Sequence, residues 1–539
     1  MALVSALLVV VALLIVRTLY RRLTSISIAH IPGPKSNSFL YGDLCELLQN
    51  QVGEVEFKWQ ELYGDVIRFR GAFGEDRLMI SDPKALQYIY QTTGYHFQKQ
   101  PEKRAISEII AGRGIIWADG EDHRRHRRIL LPGFGAPESR AFAPIFSSYA
   151  SKVVEKWRDT LATQGEDSAV FDIPTWISRA MLDSIGVAAF DYHFGSLDDS
   201  NNAVTRVWKG VLTETFGSIT KRDIFVQSVL QYVPFTLLSY IPNPKMNHLR
   251  RAGRVLTDVA KSLIEEKTEA VNQGKKSRDI MSILVKANLS EDKMSQLNEE
   301  EMLAQMRTLL LAGHETTSNS LTWTLLELAK RPEMQIRLRH EIEAKKRDVH
   351  ARGDVEFTTT DYDSMPYLNA ILKESLRYNP PTYNTFRQAS RDDIIPLSKP
   401  ITTTTGEVIT KLPVPKGLRI VTSILAYNRN EDVFGSDAHV FNPDRWLRKD
   451  SITKGAAVGV YGNMLTFAAG IRSCIGWRFA VIELQAFLVE LISNFEFSLT
   501  PEAHKLRREA CFVMIPTIEG QLEKGCQLPL KVTLASRSD

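Results

Sequence analysis

The chain has 539 residues, with 67 Lys and Arg against 63 Asp and Glu, giving a formal net charge of +4. Hydrophobic residues make up 44% and charged residues 24%, and 31 Gly with 23 Pro are too few for a low-complexity chain. These values exclude a disordered, collagen-like or multi-span membrane protein, and the small, evenly spread charge excludes nucleic acid as a partner.

The four cysteines, Cys45, Cys474, Cys511 and Cys526, contain no C-x-x-C pair, so the chain reads as reduced and cytosol-facing. Length alone suggests three or four domains of ~150 residues. The first element is Ala2–Val16, apolar except for Ser5 and followed by Arg17, Arg21 and Arg22. Twenty helical residues span ~30 Å, the thickness of a bilayer core. With Arg17 snorkelling, residues 1–22 are predicted to be a transmembrane anchor whose basic flank keeps the body in the cytosol. The alternative is a cleaved signal peptide ending near Ser27-Ile28-Ala29. Against it stand the missing basic n-region and the three arginines between the apolar run and that site. Residues 23–36, with Ile31-Pro32-Gly33-Pro34, are expected to form a proline-rich hinge.

From residue 37 to 539 no linker, charge block or repeat divides the chain, which reads as one large domain, mainly α with a smaller β-sheet region. Val66–Ile80 is extended and turn-rich. A basic run follows at Asp122-His123-Arg124-Arg125-His126-Arg127-Arg128. Lys152–Leu161, Trp176–Phe190, Met246–Val271 and Glu299–Arg331 carry apolar residues at helical spacing. Asn298 can cap the last of these, Glu299 to Glu301 suit its positive end, and Pro332 stops it. Within it stands Ala312-Gly313-His314-Glu315-Thr316-Thr317. Gly313 costs ~1 kcal/mol against Ala in a helix interior, so it serves either tight helix packing or a useful groove. Ala312 and Thr316, four apart, share one face. Glu374-Ser375-Leu376-Arg377 places acid and base one turn apart, which alone is an ordinary i,i+3 pair. The extended stretches Phe386–Ile424 and Met514–Leu534 flank the remaining signals.

The sharpest of these is Phe467-Ala468-Ala469-Gly470-Ile471-Arg472-Ser473-Cys474-Ile475-Gly476, followed by an apolar helix pattern. Cys474 thus precedes a helix N-terminus, where free N–H groups and the helix dipole favour thiolate. Gly470 and Gly476 allow backbone to approach something large and flat, and Arg472 could meet an anionic group on it. One thiolate with no second soft ligand argues against zinc or an iron–sulfur cluster and fits a single axial ligand on haem iron.

This stretch resembles the haem-binding loop F-x-x-G-x-R-x-C-x-G of the cytochrome P-450 family, the haem-thiolate monooxygenases. Glu374 and Arg377 match the family's E-x-x-R, and Phe441-Asn442-Pro443-Asp444-Arg445-Trp446 is similar to its F-x-P-x-R-[FW]. The resemblance implies a buried structural triad of Glu374, Arg377 and Arg445. The 312–317 segment resembles the oxygen-activation element, which implies that Ala312 borders dioxygen, Thr316 hydrogen-bonds it and Glu315 relays protons. His314 falls at the variable position. Arg127 matches the arginine of W-x-x-x-R, with His123 where Trp is usual, and Arg387 matches a later arginine; with Arg472 they are implied to meet the haem propionates. Arg124, Arg125 and Arg128 are expected to be solvated, or else to face an acidic redox partner.

The implied cofactor is haem b, iron-protoporphyrin IX, with Cys474 as metal ligand and Phe467, Gly470 and Gly476 shaping its loop. The implied partners are the membrane, an NADPH-cytochrome reductase with a cytochrome b-type donor as a further source, and a lipophilic small molecule. The location implied is the endoplasmic-reticulum membrane, single-pass, with the catalytic domain facing the cytosol. Substrate-lining stretches carry over as Ile106–Trp117, Val211–Phe235, Leu309 with Ala312, Pro381–Thr385 and a turn at Met514–Ile518. Tyr383, Asn384, Thr385 and Thr517 are the expected polar handles. The wording around His123 and 386–391 resembles fungal members, which points to terpenoids or other secondary metabolites. The rivals are a haem-thiolate isomerase or dehydratase, which usually lacks the Glu–Thr pair, and a non-catalytic haem or lipid binder.

Overall fold

The computed structural model describes residues 26–199, 211–217, 219–232, 244–273, 279–288, 296–448 and 457–536. The anchor expected at 1–22 lies outside them, and among the described residues no helix is long and apolar enough to cross a membrane. The helices that position the site are α1 (Pro101–Ala111), α2 (Gly120–Leu130), α3 (Ala143–Gln164), α4 (Ile173–Phe190) and α5 (Pro244–Asn272). They continue with α6 (Glu299–Ala329), α7 (Pro332–Ala351), α8 (Pro366–Tyr378) and α9 (Trp477–Asn494).

A five-stranded sheet joins β1 (Val66–Arg70), β2 (Asp76–Ile80), β3 (Phe97–Lys99), β5 (Asn384–Ala389) and β8 (Arg419–Ser423) in the order β1-β2-β8-β5-β3. Only the β2–β8 pair among these is parallel. A three-stranded sheet is ordered β4 (Ser168–Asp172), β12 (Pro529–Leu534), β9 (Phe495–Leu499). Two hairpins pair β6 (Asp393–Thr402) with β7 (Val408–Val414), and β10 (Leu506–Ala510) with β11 (Met514–Ile518). The fold is therefore mainly helical with small sheets. Met514–Ile518, expected as a turn, is a strand, because Leu506–Ala510 pairs with it along its whole length.

The central element is α6, about 47 Å long at 1.5 Å per residue. Its N-terminus is fixed by a reciprocal cap: Glu301 N–H donates to Asn298 Oδ1 at 2.8 Å, and Asn298 N–H donates to Glu301 Oε2 at 3.0 Å. It ends at Ala329 rather than Arg331, since Pro332 opens α7 as a first-turn proline. Helix α3 extends beyond the expected 152–161 on both sides, tolerating Pro144 in its first turn and stopping at left-handed Gly165.

One hydrophobic core cluster runs from Ile28 to Val532. The proline stretch at 31–34 is non-helical, and it is packed on the body rather than free. Ile31 is wholly buried, Arg68 N–H donates to Pro32 O at 2.9 Å, and a Cβ at Gly33 would lie 1.7 Å from Arg68 O. Glycine at 33 is what lets this strip lie against β1.

Candidate active site

Cys474 sits in the loop immediately before α9, and its backbone N–H donates to Phe467 O at 2.8 Å. Phe467 is buried, its ring edge-on to Tyr461 at 5.9 Å. Gly470 is left-handed (φ 59°), and a Cβ there would meet Tyr90 O at 1.9 Å, so this glycine is demanded by the approach of the 88–92 turn. Gly476 has an ordinary φ of −94° and open surroundings beside Phe134, so no close approach requires it. Ala468, by contrast, holds φ 53°, a conformation that strains a residue with a Cβ by about 1–3 kcal/mol.

The Cys474 side chain is accessible although the loop around it is densely packed. Burial pushes its thiol up, while Gly476 N–H and the Arg127 guanidinium pull it down. The thiolate expected from the helix terminus alone is thus outweighed by desolvation, and a bound cation is what would fix it. Burial also raises the thiols of Cys45, Cys511 and Cys526.

Helix α6 is buried at almost every position from 302 to 329, yet Ala312, Gly313, Glu315 and Thr316 are half-buried. Thr316 Oγ1 donates to Ala312 O at 2.7 Å, leaving its lone pairs as acceptors. Glu315 Oε1 lies 3.3 Å from His314 Nε2, and His314 Nδ1 faces Leu310 O at 2.6 Å, so the wholly buried histidine is turned onto its own helix. At Gly313 a Cβ would come 2.8 Å from Ile185 Cγ1 of α4. Of the two reasons the sequence offers for this glycine, close helix packing is the one found.

A group of cations converges beside the cysteine loop. Arg127 of α2 donates to Ser473 O at 2.6 Å and Ser473 Oγ at 3.0 Å. Arg472 donates to Asp119 at 2.5 Å, reaches Gly94 O at 3.2 Å, and covers the Tyr95 ring at 4.7 Å. Expected to meet an anion of the cofactor, Arg472 has a carboxylate of the chain itself as its fixed partner. His123 is buried, its Nδ1 2.8 Å from Tyr95 Oη; burial first, then Lys99, Arg472 and Arg127, drive its pKa down to about 3 and keep it neutral. Arg387, on β5, is buried beside the Tyr90 ring, and burial lowers it, with Arg472 adding to the effect.

Lys99, which no local pattern marks, donates to the carbonyls of Ile115, Ile116 and Ala118, and burial lowers its pKa to about 7. Asp119 stays below its ordinary value: burial raises it, but Arg472 and Lys99 together win. Three guanidiniums, Arg127, Arg387 and Arg472, and the partly protonated Lys99 thus surround one carboxylate and a neutral histidine. That excess of buried positive charge suits a dianionic group such as the two propionates of haem. Arg125, expected to be solvated or to face a partner, is half-buried against Glu301 at the start of α6, with His126 Nε2 3.2 Å from the same carboxylate.

The structure brings Glu374, Arg377 and Arg445 together, all at most 2% exposed. Arg377 donates to Glu374 through Nε at 2.9 Å and Nη2 at 2.6 Å, and Arg445 through Nε at 3.1 Å. The sequence missed two further donors, Trp446 Nε1 at 2.9 Å and Asn442 N–H at 2.7 Å. Of the expected polar handles, Asn384 donates to Glu56 at 2.9 Å, and Thr385 is bonded to Tyr90 and Thr422 at 2.6 Å each. The stretch expected at 211–235 falls partly outside the described residues.

Glu483 of α9 is wholly buried, and the hydroxyls of Ser184 (α4) and Thr317 (α6) lie beside it without closing well-formed hydrogen bonds. Burial lifts its pKa from 4.5 to about 8. The folded state therefore keeps a proton that the unfolded chain loses, so stability is fullest below about pH 4.5 and falls as pH rises toward 8. The loss amounts to about 3 kcal/mol at pH 7. Glu483→Gln, neutral at every pH, is expected to unfold at higher denaturant than the parent at pH 7 and to match it near pH 4.5. Parallel unfolding curves for the two proteins from pH 5 to 8 would rule this out.

The family described as Cytochrome P450 matches residues 32–523. Cytochrome P450 monooxygenase 205 of Postia placenta is 32% identical over 516 residues, covering 93% of this chain and 92% of the relative. Cytochrome P450 monooxygenases claO and claQ of Ampulloclitocybe clavipes are 32% and 33% identical, each over 93% of this chain and 92% of their own length.

Proposed function

The chain belongs to the cytochrome P450 family, and on that premise we propose that this haem monooxygenase uses Cys474 as its thiolate ligand to oxidise a lipophilic metabolite. The carrying observation is the accessible Cys474 thiol in a packed loop beside a buried cation cluster, with a half-buried patch at Ala312 and Thr316 in an otherwise buried helix. Haem, when bound through the thiolate, supplies the activation of O2 with electrons from a redox partner.

The residues of the chain do the rest. Arg127, His123, Arg387 and Arg472 would hold the haem propionates, Arg472 while keeping its pair with Asp119, with Lys99 completing the charge balance there. Thr316 Oγ1 would accept a hydrogen bond on the oxygen side, and Glu315 beside it would relay protons there. Ala312 leaves room for substrate. The triad of Glu374, Arg377 and Arg445 has a structural role. The electron donor is an NADPH-dependent reductase, and the apolar segment 2–16 with its arginines is the single-pass anchor that holds the body at the cytosolic face of the endoplasmic reticulum. The substrate is a terpenoid or other secondary metabolite, in keeping with the fungal relatives and the mainly apolar lining.

The test is reconstitution with such a reductase under ¹⁸O₂: one labelled oxygen per product molecule is expected. Turnover that needs no reductase and leaves no labelled oxygen in the product would sink the reading and favour an isomerase or dehydratase. Thr316→Ala is expected to go on consuming NADPH while product per NADPH falls roughly ten- to a hundredfold, with peroxide rising to match. Unaltered coupling between NADPH use and product would remove Thr316 from the proton path.

A further inference from the structure

In the N-terminal half of α6, Gln305 Nε2, Arg307 Nε and Thr308 Oγ1 are buried without a hydrogen-bond partner. Gln305 is wholly buried and Thr308 is 4% exposed. Thr308 departs from the habit of its helix, where the hydroxyls of Thr316, Thr317, Ser320, Thr322 and Thr324 each donate four residues back at 2.7 or 2.8 Å. The amide of Gln305 is oriented by Ile115, whose N–H donates to Oε1 at 3.0 Å, so Nε2 points elsewhere and finds no acceptor. A buried polar group left unpaired costs about 1–3 kcal/mol, and folded chains keep few of them.

Their placement says what could satisfy them. Residues 305, 308, 312 and 316 follow at spacings of three and four, so they lie along one face of α6. Eight residues separate Thr308 from Thr316, about 12 Å along the axis. The segment 112–118 covers the near end. A Cβ on Gly114 would come 2.9 Å from Thr308 Oγ1, and one on left-handed Gly112 would come 2.9 Å from Ala304 Cβ. Two glycines thus let this strip lie directly on α6. Arg307 donates to the carbonyls of Ile109 and Ile110 at 2.9 and 2.5 Å, so its charge is already committed. Asn384 and Thr385, the more obvious handles, are bonded within the fold.

We propose that Thr308 and Gln305 are the specificity-determining contact for a neutral, oxygenated lipophile, whose hydroxyl or carbonyl oxygen docks against them while a carbon farther along α6 meets the oxidising centre. The ligand oxygen displaces the Gly114 backbone from Thr308 and accepts from Gln305 Nε2. The Thr308 hydroxyl donates to a carbonyl or accepts from an alcohol. The separation between Thr308 and the Ala312–Thr316 face, about 6–12 Å along the axis, favours substrates whose polar group and oxidised carbon are well separated. This rests on the reading above that oxidation takes place at the Ala312–Thr316 face.

The test uses full-length, haem-loaded protein in bilayer discs, titrated with 1-dodecanol and dodecane while the haem absorption shift is followed. The wild type is expected to prefer the alcohol about five- to tenfold, the worth of one or two hydrogen bonds. Thr308→Val is expected to abolish that preference with dodecane affinity unchanged, Thr308→Ser to restore it, and the valine variant to melt no lower than the parent. An undiminished alcohol preference in Thr308→Val, or an equal loss for both probes, overturns the proposal. The CO-difference spectrum of the same wild-type sample reports separately on haem ligation, so a failure of the family-level reading is told apart from a failure of this contact.

Discussion

Cys474→Ala is expected to abolish the absorption band diagnostic of thiolate ligation in the reduced, CO-bound protein and to lower turnover by more than about a hundredfold. The fold is expected to survive, because the loop is held by contacts that do not involve sulfur. Its backbone N–H bonds to Phe467, Ser473 is fixed by Arg127, and Gly470 lies against Tyr90. The other thiols are no substitutes, since none lies in this loop: Cys45 packs against the Trp59 and Phe69 cluster, and Cys511 and Cys526 pack together in another. Absorption spectra and thermal melts of the same preparation separate the two effects. A thiolate-type spectrum in the alanine variant would require another ligand and would overturn the assignment, whereas a collapsed fold would show that the sulfur itself is structural.

What the sequence disclosed was local. The cap at Asn298, the stop at Pro332, the Cys474 loop ahead of a helix and the i,i+3 placement of Glu374 and Arg377 are all set by residues within a turn or two of one another. What it hid was pairing across the chain. Nothing near Arg472 announces that Asp119 will hold it, because that contact depends on how α2 and the cysteine loop are brought together. Lys99 and Glu483 look like ordinary surface charges until topology buries them. At Gly313 the sequence leaves tight packing and a groove both open, and the atom that decides for packing belongs to Ile185 on a neighbouring helix. Arg125 is likewise read as solvated from its basic neighbours and is bound to Glu301. Charge in a sequence gives the demand for a partner, and only the fold supplies it.

Glu374→Ala carries the largest expected cost in stability. The carboxylate is wholly buried and accepts from Arg377, Arg445, Trp446 and the Asn442 backbone. Its removal leaves the buried Arg377 without a carboxylate partner, while Arg445 keeps only Asp437 at 2.7 Å, a loss of about 3–5 kcal/mol for a broken buried pair. Against a total stability of about 5–15 kcal/mol this threatens the fold itself. The damage also has a direction. Arg377 binds Asn428 O at 2.8 Å, and Asn428 in turn accepts from Leu465 N–H at 2.8 Å and holds Thr466, the residue before Phe467, at 2.9 Å. Losing the triad therefore loosens the approach to the cysteine loop, and haem retention is expected to fail before global unfolding. Arg377→Lys tests the geometry rather than the charge, because a point ammonium cannot bridge both carboxylate oxygens while reaching three carbonyls as Arg377 does. Denaturant midpoints and haem content measured together should fall for both variants, further for Glu374→Ala. A midpoint within about 1 kcal/mol of the parent for Glu374→Ala would mean that water or Asp437 neutralises the arginines, and that the three residues do not act as a unit.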